Sequence, residues 1–154
     1  MALFLVRHGK NLSKDKDPDQ GLSEQGIYEI NQMATIVKKS GIHISRIDHS
    51  VKTRAFQTAG IFASALEPEG GLNEISGLNP LDDVTTLADT INCKEDVMLV
   101  GHLPFMERLA AYLITGTTDN RVFKFQNSGI LCLDKDTDNR PWVIRWALVP
   151  DIKI

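Results

Sequence analysis

Two short runs constrain this chain more than anything else in it: Leu3-Phe4-Leu5-Val6 and Val97-Met98-Leu99-Val100 are apolar at every position. A strand with one wet face alternates apolar and polar residues, so an unbroken run reads as a strand covered on both faces. Such strands belong to parallel sheets flanked by helices, and the sequence between them supplies the helices. Ser23 is placed to cap a helix from Glu24 to about Lys39, where Ile27, Ile30, Ala34 and Val37 form one apolar stripe and Gly41 marks the stop. Ile44 to Ile47 reads as a second buried strand, ending near Asp48-His49-Ser50. Thr53 to Leu66 carries Ala55, Ala59, Phe62, Ala63 and Leu66 on one side of a helix. Pro68-Glu69-Gly70-Gly71 marks a turn, and Asp82 to Asn92 puts Val84, Leu87, Ala88 and Ile91 at helical spacing. Pro104 suits the first turn of a helix running to about Thr115.

The last third changes character. Val122 to Phe125, Ile130 to Leu133 and Trp142 to Val149 read as strands, the latter two separated by the polar turn Asp134 to Pro141. The expected fold class is therefore α/β, a three-layer sandwich with a mostly parallel central sheet, an antiparallel edge and helices on both faces. The 154 residues fit one domain, 1–154, large enough to bury roughly two-thirds of its unfolded surface. A hydrophobic fraction of 42% and a charged fraction of 24% argue against a disordered or membrane chain. The net charge of −3 offers no broad attraction to nucleic acid or anionic lipid, so neither is expected as a partner. Cys93 and Cys132 lie beside apolar residues and read as buried inert thiols, which fits a reducing cytoplasm and neither a disulfide scaffold nor a zinc site. The apolar start is broken by Arg7-His8 too early for a signal peptide or a spanning helix.

Three polar constellations follow the expected strand ends, which is where open α/β sheets place their ligand crevice. They are Arg7-His8-Gly9, Ser50 to Thr58, and Gly101-His102, and they collect two arginines and two of the chain's His 4. That set fits phosphoryl transfer to a histidine. Arg7 and Arg54 can each offer a planar fork of donors to phosphate oxygens. A neutral His8 can attack phosphorus with one ring nitrogen while a backbone carbonyl fixes the tautomer through the other. Neighbouring cations help keep His8 neutral, and His102, protonated or donating a hydrogen bond, completes a charge clamp. Gly9 removes a side chain where the backbone must pass close to the phosphate.

Leu5-Val6-Arg7-His8-Gly9, Leu22-Ser23-Glu24-Gln25-Gly26, Arg54-Ala55-Phe56-Gln57-Thr58 and Val100-Gly101-His102-Leu103-Pro104 resemble, in order, the signatures of the histidine phosphatase superfamily. This is the family that also contains the phosphoglycerate mutases. The short chain and the His102-Leu103-Pro104 form are most similar to the SixA-type phosphohistidine phosphatases. The resemblance implies a phosphoglycerate mutase-like fold and a hydrolase that acts on phosphoryl groups through a transient phosphohistidine at His8. It places Arg7, Arg54 and His102 in the rest of the phosphate pocket, with Asn11 and Ser50 as further substrate-binding candidates. It calls for no metal and no other cofactor. The partner it implies is a phosphorylated substrate, such as a phosphohistidine protein.

Relatives that cleave phosphate esters usually carry a Glu or Asp that protonates the leaving alkoxide. Here Glu74, Asp82 and Asp83 are the nearest carboxylates, and none falls on the acid position of the SixA pattern. An N-phosphorylated substrate is favoured on that ground. A general small-molecule phosphomonoesterase and a non-catalytic phosphoprotein-binding module remain as alternatives, and a mutase has little room for its insertions. His43 and His49 read as structural or solvent-exposed, Lys10, Lys14 and Lys16 as a solvated loop face, and Trp142 and Trp146 as sheet packing. The run Gln126-Asn127-Ser128 matches no catalytic group of the family and reads as pocket lining.

Overall fold

A computed structural model describes residues 1–92 and 94–150; Cys93, expected as a buried thiol, lies outside the described residues. The chain builds β1 (Ala2–Arg7), α1 (Glu24–Lys39), β2 (Arg46–His49), α2 (Thr53–Leu66), β3 (Leu72–Glu74), α3 (Val84–Ala88), β4 (Val97–Gly101), α4 (Phe105–Thr115), β5 (Ile130–Asp134) and β6 (Val143–Leu148). The six strands form one sheet in the order β3-β2-β4-β1-β5-β6. Pairing is parallel from β3 to β1, and β5 runs antiparallel to both β1 and β6.

The unbroken apolar runs are explained by what they touch. Phe4 and Val6, with Met98, Val100, Ile130 and Cys132, pack against Ile30, Met33 and Val37 of α1 and Ala59 and Phe62 of α2. The intervening Leu3, Leu5, Leu99 and Leu131 face the other way, onto Val84 and Leu87 of α3 and Phe105, Met106 and Leu109 of α4. Both faces of the central strands are dry, as the sandwich requires. Burial pushes the Cys132 thiol up to about 11, so it stays protonated and inert. The Trp146 ring rests 5.9 Å from that of Phe4, and Trp142 is buried in the second core; both tryptophans pack the sheet.

Three elements depart from expectation. The segment Val122 to Phe125 is not a strand. Instead it packs edge-to-face through Phe123 and Phe125, whose ring centroids are 4.8 Å apart. β3, with one apolar residue in three, carries no strand signal of its own and forms by pairing with β2 at the sheet edge. The helix expected over Asp82 to Asn92 contracts to α3. Asp83 caps it, accepting from the Thr85 N–H at 3.0 Å, while Asp82 accepts from the Asn79 N–H at 2.9 Å in the turn before it. Pro104 stands at the N-cap of α4 rather than inside its first turn.

The entry to α1 fixes the loop that follows β1. Ser23 Oγ accepts from the Gly26 N–H at 3.1 Å and donates to the Lys10 carbonyl at 3.1 Å, which also accepts from the Ser23 N–H at 2.9 Å. Lys10, read from sequence as a solvated charge, reaches back to the buried Glu29 of α1, Nζ to Oε1 3.4 Å. A Cβ on Gly26 would collide with the Lys10 carbonyl. Backbone cannot give way as a flexible side chain can, so Gly26→Ala is expected to cost about 1–3 kcal/mol of stability. Urea denaturation of the two proteins measures it.

Candidate active site

The three polar constellations meet beyond the C-terminal ends of β1, β2 and β4. The backbone of β1 continues to pair past its last strand residues: the Arg7 N–H donates to Gly129 O at 3.2 Å and the His8 N–H to Gly101 O at 3.0 Å. His8 is thereby set between the ends of β4 and β5. Its imidazole lies across from that of His102, ring centroids 5.0 Å apart and planes inclined by 52°.

Helix α2 carries Arg54 and also fastens the His8 loop. Thr58 Oγ1 accepts from the Gly9 N–H at 3.0 Å and donates to Arg54 O at 2.8 Å. Gln57 Oε1 accepts from the Leu22 N–H at 2.7 Å. Gln57 and Thr58 belong to the motif around Arg54, and here they are fasteners of the His8 loop. Their signal was present: Thr58 stands four residues after Arg54 and so shares its helix face.

The electrostatics of the pocket follow from burial. His8 Nδ1 donates to the Gly9 carbonyl at 2.7 Å, which leaves Nε2 as the unprotonated nitrogen, with no hydrogen-bond partner among the described residues. Desolvation first, then the charges of Arg54 and Arg7, lower the His8 pKa to about 4, against a raising contribution from the Gly9 hydrogen bond. His102 is lowered to about 3, by desolvation and then by His8, Arg54 and Lys52. At neutral pH His102 therefore acts as a donor and not as a standing charge. Its Nε2 meets Ser50 Oγ at 2.5 Å, and its Nδ1 is buried without a partner.

The arginines are held open. Arg7 Nη1 donates to Phe125 O at 3.1 Å, and its Nε is buried and unpartnered. Burial lowers the pKa of both Arg7 and Arg54, with the charge of Glu107 opposing this for Arg7. Among the described residues no carboxylate stands within ion-pair distance of either guanidinium. The unpaired donors of Arg7 and His102 and the Arg54 cation are what the oxygens of a tetrahedral oxyanion would satisfy, and the His8 Nε2 lone pair is left free to face its central atom. No group of His, Cys, Asp and Glu side chains among the described residues could hold a metal ion.

Five of the six sequence candidates thus come together: Arg7, His8, Ser50, Arg54 and His102. Asn11 does not join them through its amide, whose Nδ2 donates to the adjacent Leu12 carbonyl at 3.0 Å. Asp82 and Asp83 are occupied in the turn and cap described above, and Glu74 is exposed at the end of β3. His43 is exposed between Glu69 and Asp96, while His49 is buried, its Nδ1 donating to Ser50 O at 2.7 Å.

The sequence profile of the histidine phosphatase superfamily (branch 1) matches residues 3–79, half of the chain. The chain belongs to the histidine phosphatase superfamily. It is a hydrolase acting on phosphoryl groups. Its fold is similar to that of the protein histidine phosphatase SixA solved with tungstate, at 24% identity over 97% of each chain and a TM-score of 0.81. A candidate phosphohistidine phosphatase SixA from Agrobacterium tumefaciens is 25% identical over 97% of each chain, with a TM-score of 0.78. A mycobacterial glucosyl-3-phosphoglycerate phosphatase shares the fold at 15% identity, over 94% of this chain and 97% of its own, with a TM-score of 0.73. Curated protein sequences gave no significant match. Among the described residues no helix is long and apolar enough to cross a membrane.

The two lowered histidines make a stability prediction. With native values of about 4 and about 3 against an ordinary 6.5, the unfolded chain takes up protons that the native pocket refuses. Their contribution is fully present above 6.5 and is lost as the pH falls toward 4. Stability should drop between about pH 7 and about pH 5, by roughly 2 kcal/mol for His8 alone. Urea melts across that window test it, and a His8→Gln, His102→Gln double variant should flatten the slope.

Proposed function

We propose that the chain removes a phosphoryl group from an N-phosphorylated substrate, best matched by a phosphohistidine protein, with His8 as the nucleophile. The observation that carries this reading is the state of His8: Nδ1 anchored on the Gly9 carbonyl, Nε2 free, and the ring uncharged at neutral pH. In the first step the Nε2 lone pair forms a bond to phosphorus as the bond to the leaving nitrogen breaks; that nitrogen keeps the bonding pair, and the leaving imidazole departs neutral because it has taken a proton from solvent. The forks of Arg7 and Arg54 hold the non-bridging oxygens, and the His102 Nδ1–H donates to one of them. Ser50 supports that role by engaging His102 Nε2, so that the ring proton resides on Nδ1. In the second step water attacks the phosphohistidine, the phosphorus–nitrogen bond breaks, and inorganic phosphate leaves with His8 restored.

The choice of substrate rests on the leaving group. An alkoxide departs poorly unless an acid protonates it, and the carboxylates nearest in sequence are exposed or tied into a turn and a cap. A phosphoramidate nitrogen leaves readily once protonated and places a lighter demand on the enzyme. The site is built from strand ends and their loops, with Val51, Lys52 and Phe56 exposed beside Arg54, an arrangement open to a protein surface. The free, buried Cys132 thiol fits a reducing cytoplasm.

A phosphate-release panel spanning phosphohistidine protein, phosphotyrosine, phosphoserine and sugar phosphates decides the substrate class. The expected result is clear preference for phosphohistidine; equal rates across the panel would end the N-phosphoryl reading in favour of a general phosphomonoesterase. His8→Ala is expected to lower turnover at least about a thousandfold while the chain still folds. Full activity in that variant would remove His8 from the chemistry. Phosphate-dependent partner capture by the wild-type protein without phosphate release would instead mark a binding module.

A further inference from the structure

We propose that Asn127 is a positioning residue for His8, acting through the peptide unit between His8 and Gly9; the inference rests on the reading of His8 as nucleophile. The run Gln126-Asn127-Ser128 crosses the end of β1 just before β5 begins. Ser128 takes a left-handed conformation, φ 67°, which turns its N–H onto both the Arg7 carbonyl at 3.1 Å and the His8 carbonyl at 3.2 Å. From the same turn Asn127 Nδ2 donates to the His8 carbonyl at 3.1 Å. The opposite end of that peptide, the Gly9 N–H, donates to Thr58 Oγ1 at 3.0 Å.

A peptide unit is planar, so holding both its oxygen and its hydrogen fixes the plane, and with it ψ of His8 and φ of Gly9. Glycine at that position has no side chain to limit its own rotation. A Cβ there would stand 3.0 Å from Ile30, 3.2 Å from Leu22 and 3.3 Å from Ser128, so the restraint has to come from hydrogen bonds. What rides on the plane is the next carbonyl, that of Gly9, which accepts from His8 Nδ1 at 2.7 Å.

If the plane turns, Nδ1–H loses its acceptor and the ring can move its proton to Nε2. In that tautomer the nitrogen facing the pocket has no lone pair to offer phosphorus. Asn127, the side chain on the carbonyl side of this peptide, thus biases which ring nitrogen carries the proton, beside the Ser128 N–H and Thr58. Its amide makes no hydrogen bond to the side chains of Arg7, Arg54 or His102, so anion binding should not depend on it.

The test compares wild type with Asn127→Ala and with Asn127→Leu, which keeps the branched shape and removes the donor without adding a charge. Rapid-quench phosphorylation by inorganic phosphoramidate gives the rate of acid-labile phosphoenzyme formation, equilibrium titration gives tungstate affinity, and ¹⁵N spectra of the histidine rings give the tautomer. The expected result is phosphorylation slowed by about tenfold or more, tungstate affinity within about twofold, and growth of the Nε2–H form of His8. Unchanged phosphorylation rates in both variants would overturn the role of Asn127 alone. Rate and tungstate affinity falling together would also overturn it, since that marks general damage to the pocket. A wild-type protein that turns over without acid-labile phosphate on His8 would overturn the nucleophile reading, and the positioning role with it.

Discussion

Two guanidinium groups and two imidazoles gathered in a partly dry pocket lose hydration, and among the described residues no carboxylate is paired to them. Everything around the site serves to keep them there. The imidazoles stay neutral, since burial penalises the charged form and protonating either would also add a charge beside Arg54. The guanidinium groups stay charged and unpaired, and a backbone carbonyl, that of Phe125, takes one Arg7 donor without cancelling its charge. A carboxylate in that place would form a stable pair and compete with a substrate phosphoryl group for the same fork.

Holding such a pocket open requires a stiff scaffold, and the sheet supplies it. β1 lies between β4 and β5, so Arg7 at its end and His8 just beyond it are held from the two sides, by Gly129 O and Gly101 O. The loop beyond is tied to two helices at once: to α1 through Ser23 and Glu29, to α2 through Gln57 and Thr58. The helix that brings Arg54 to the pocket is therefore also the one that fixes the peptide after His8. Motif residues flanking the charged ones act as fasteners, and this gives them a physical reason to sit where they do.

Much of this was legible in the sequence because burial on both faces leaves an unmistakable pattern. Leu3 to Val6 and Val97 to Val100 reveal the central strands, and the polar residues directly after them reveal the crevice. Arg7, His8, Arg54 and His102 could be named because strand ends and residue chemistry agree. What escaped was whatever is decided by the partner and not by the segment. β3 owes its existence to β2, and Val122 to Phe125 has strand-forming residues but is held by the packing of Phe123 against Phe125 and not by strand pairing. The hydrogen bonds of Asn127 and Ser128 to β1 were likewise invisible, because a polar loop residue looks alike whether it faces water or a carbonyl more than a hundred residues distant. Asn11 shows the reverse, a polar residue near the motif whose amide donates within its own loop.

The depressed basicity of His8 bears on both halves of the proposed reaction. A weaker base is a poorer nucleophile toward phosphorus, so a shift from 6.5 to about 4 slows attack for any given geometry. It also guarantees that essentially every molecule carries the free lone pair at neutral pH, and the arginine forks supply the stabilisation that intrinsic basicity does not. In the return step the balance reverses. The phosphorus–nitrogen bond to a weakly basic imidazole is easier to break, because the departing nitrogen bears electron density more readily beside Arg7 and Arg54. A strongly basic histidine would capture the phosphoryl group and keep it. Burial next to two cations thus favours release of phosphate over storage, which is what separates a phosphatase from a phosphoryl carrier.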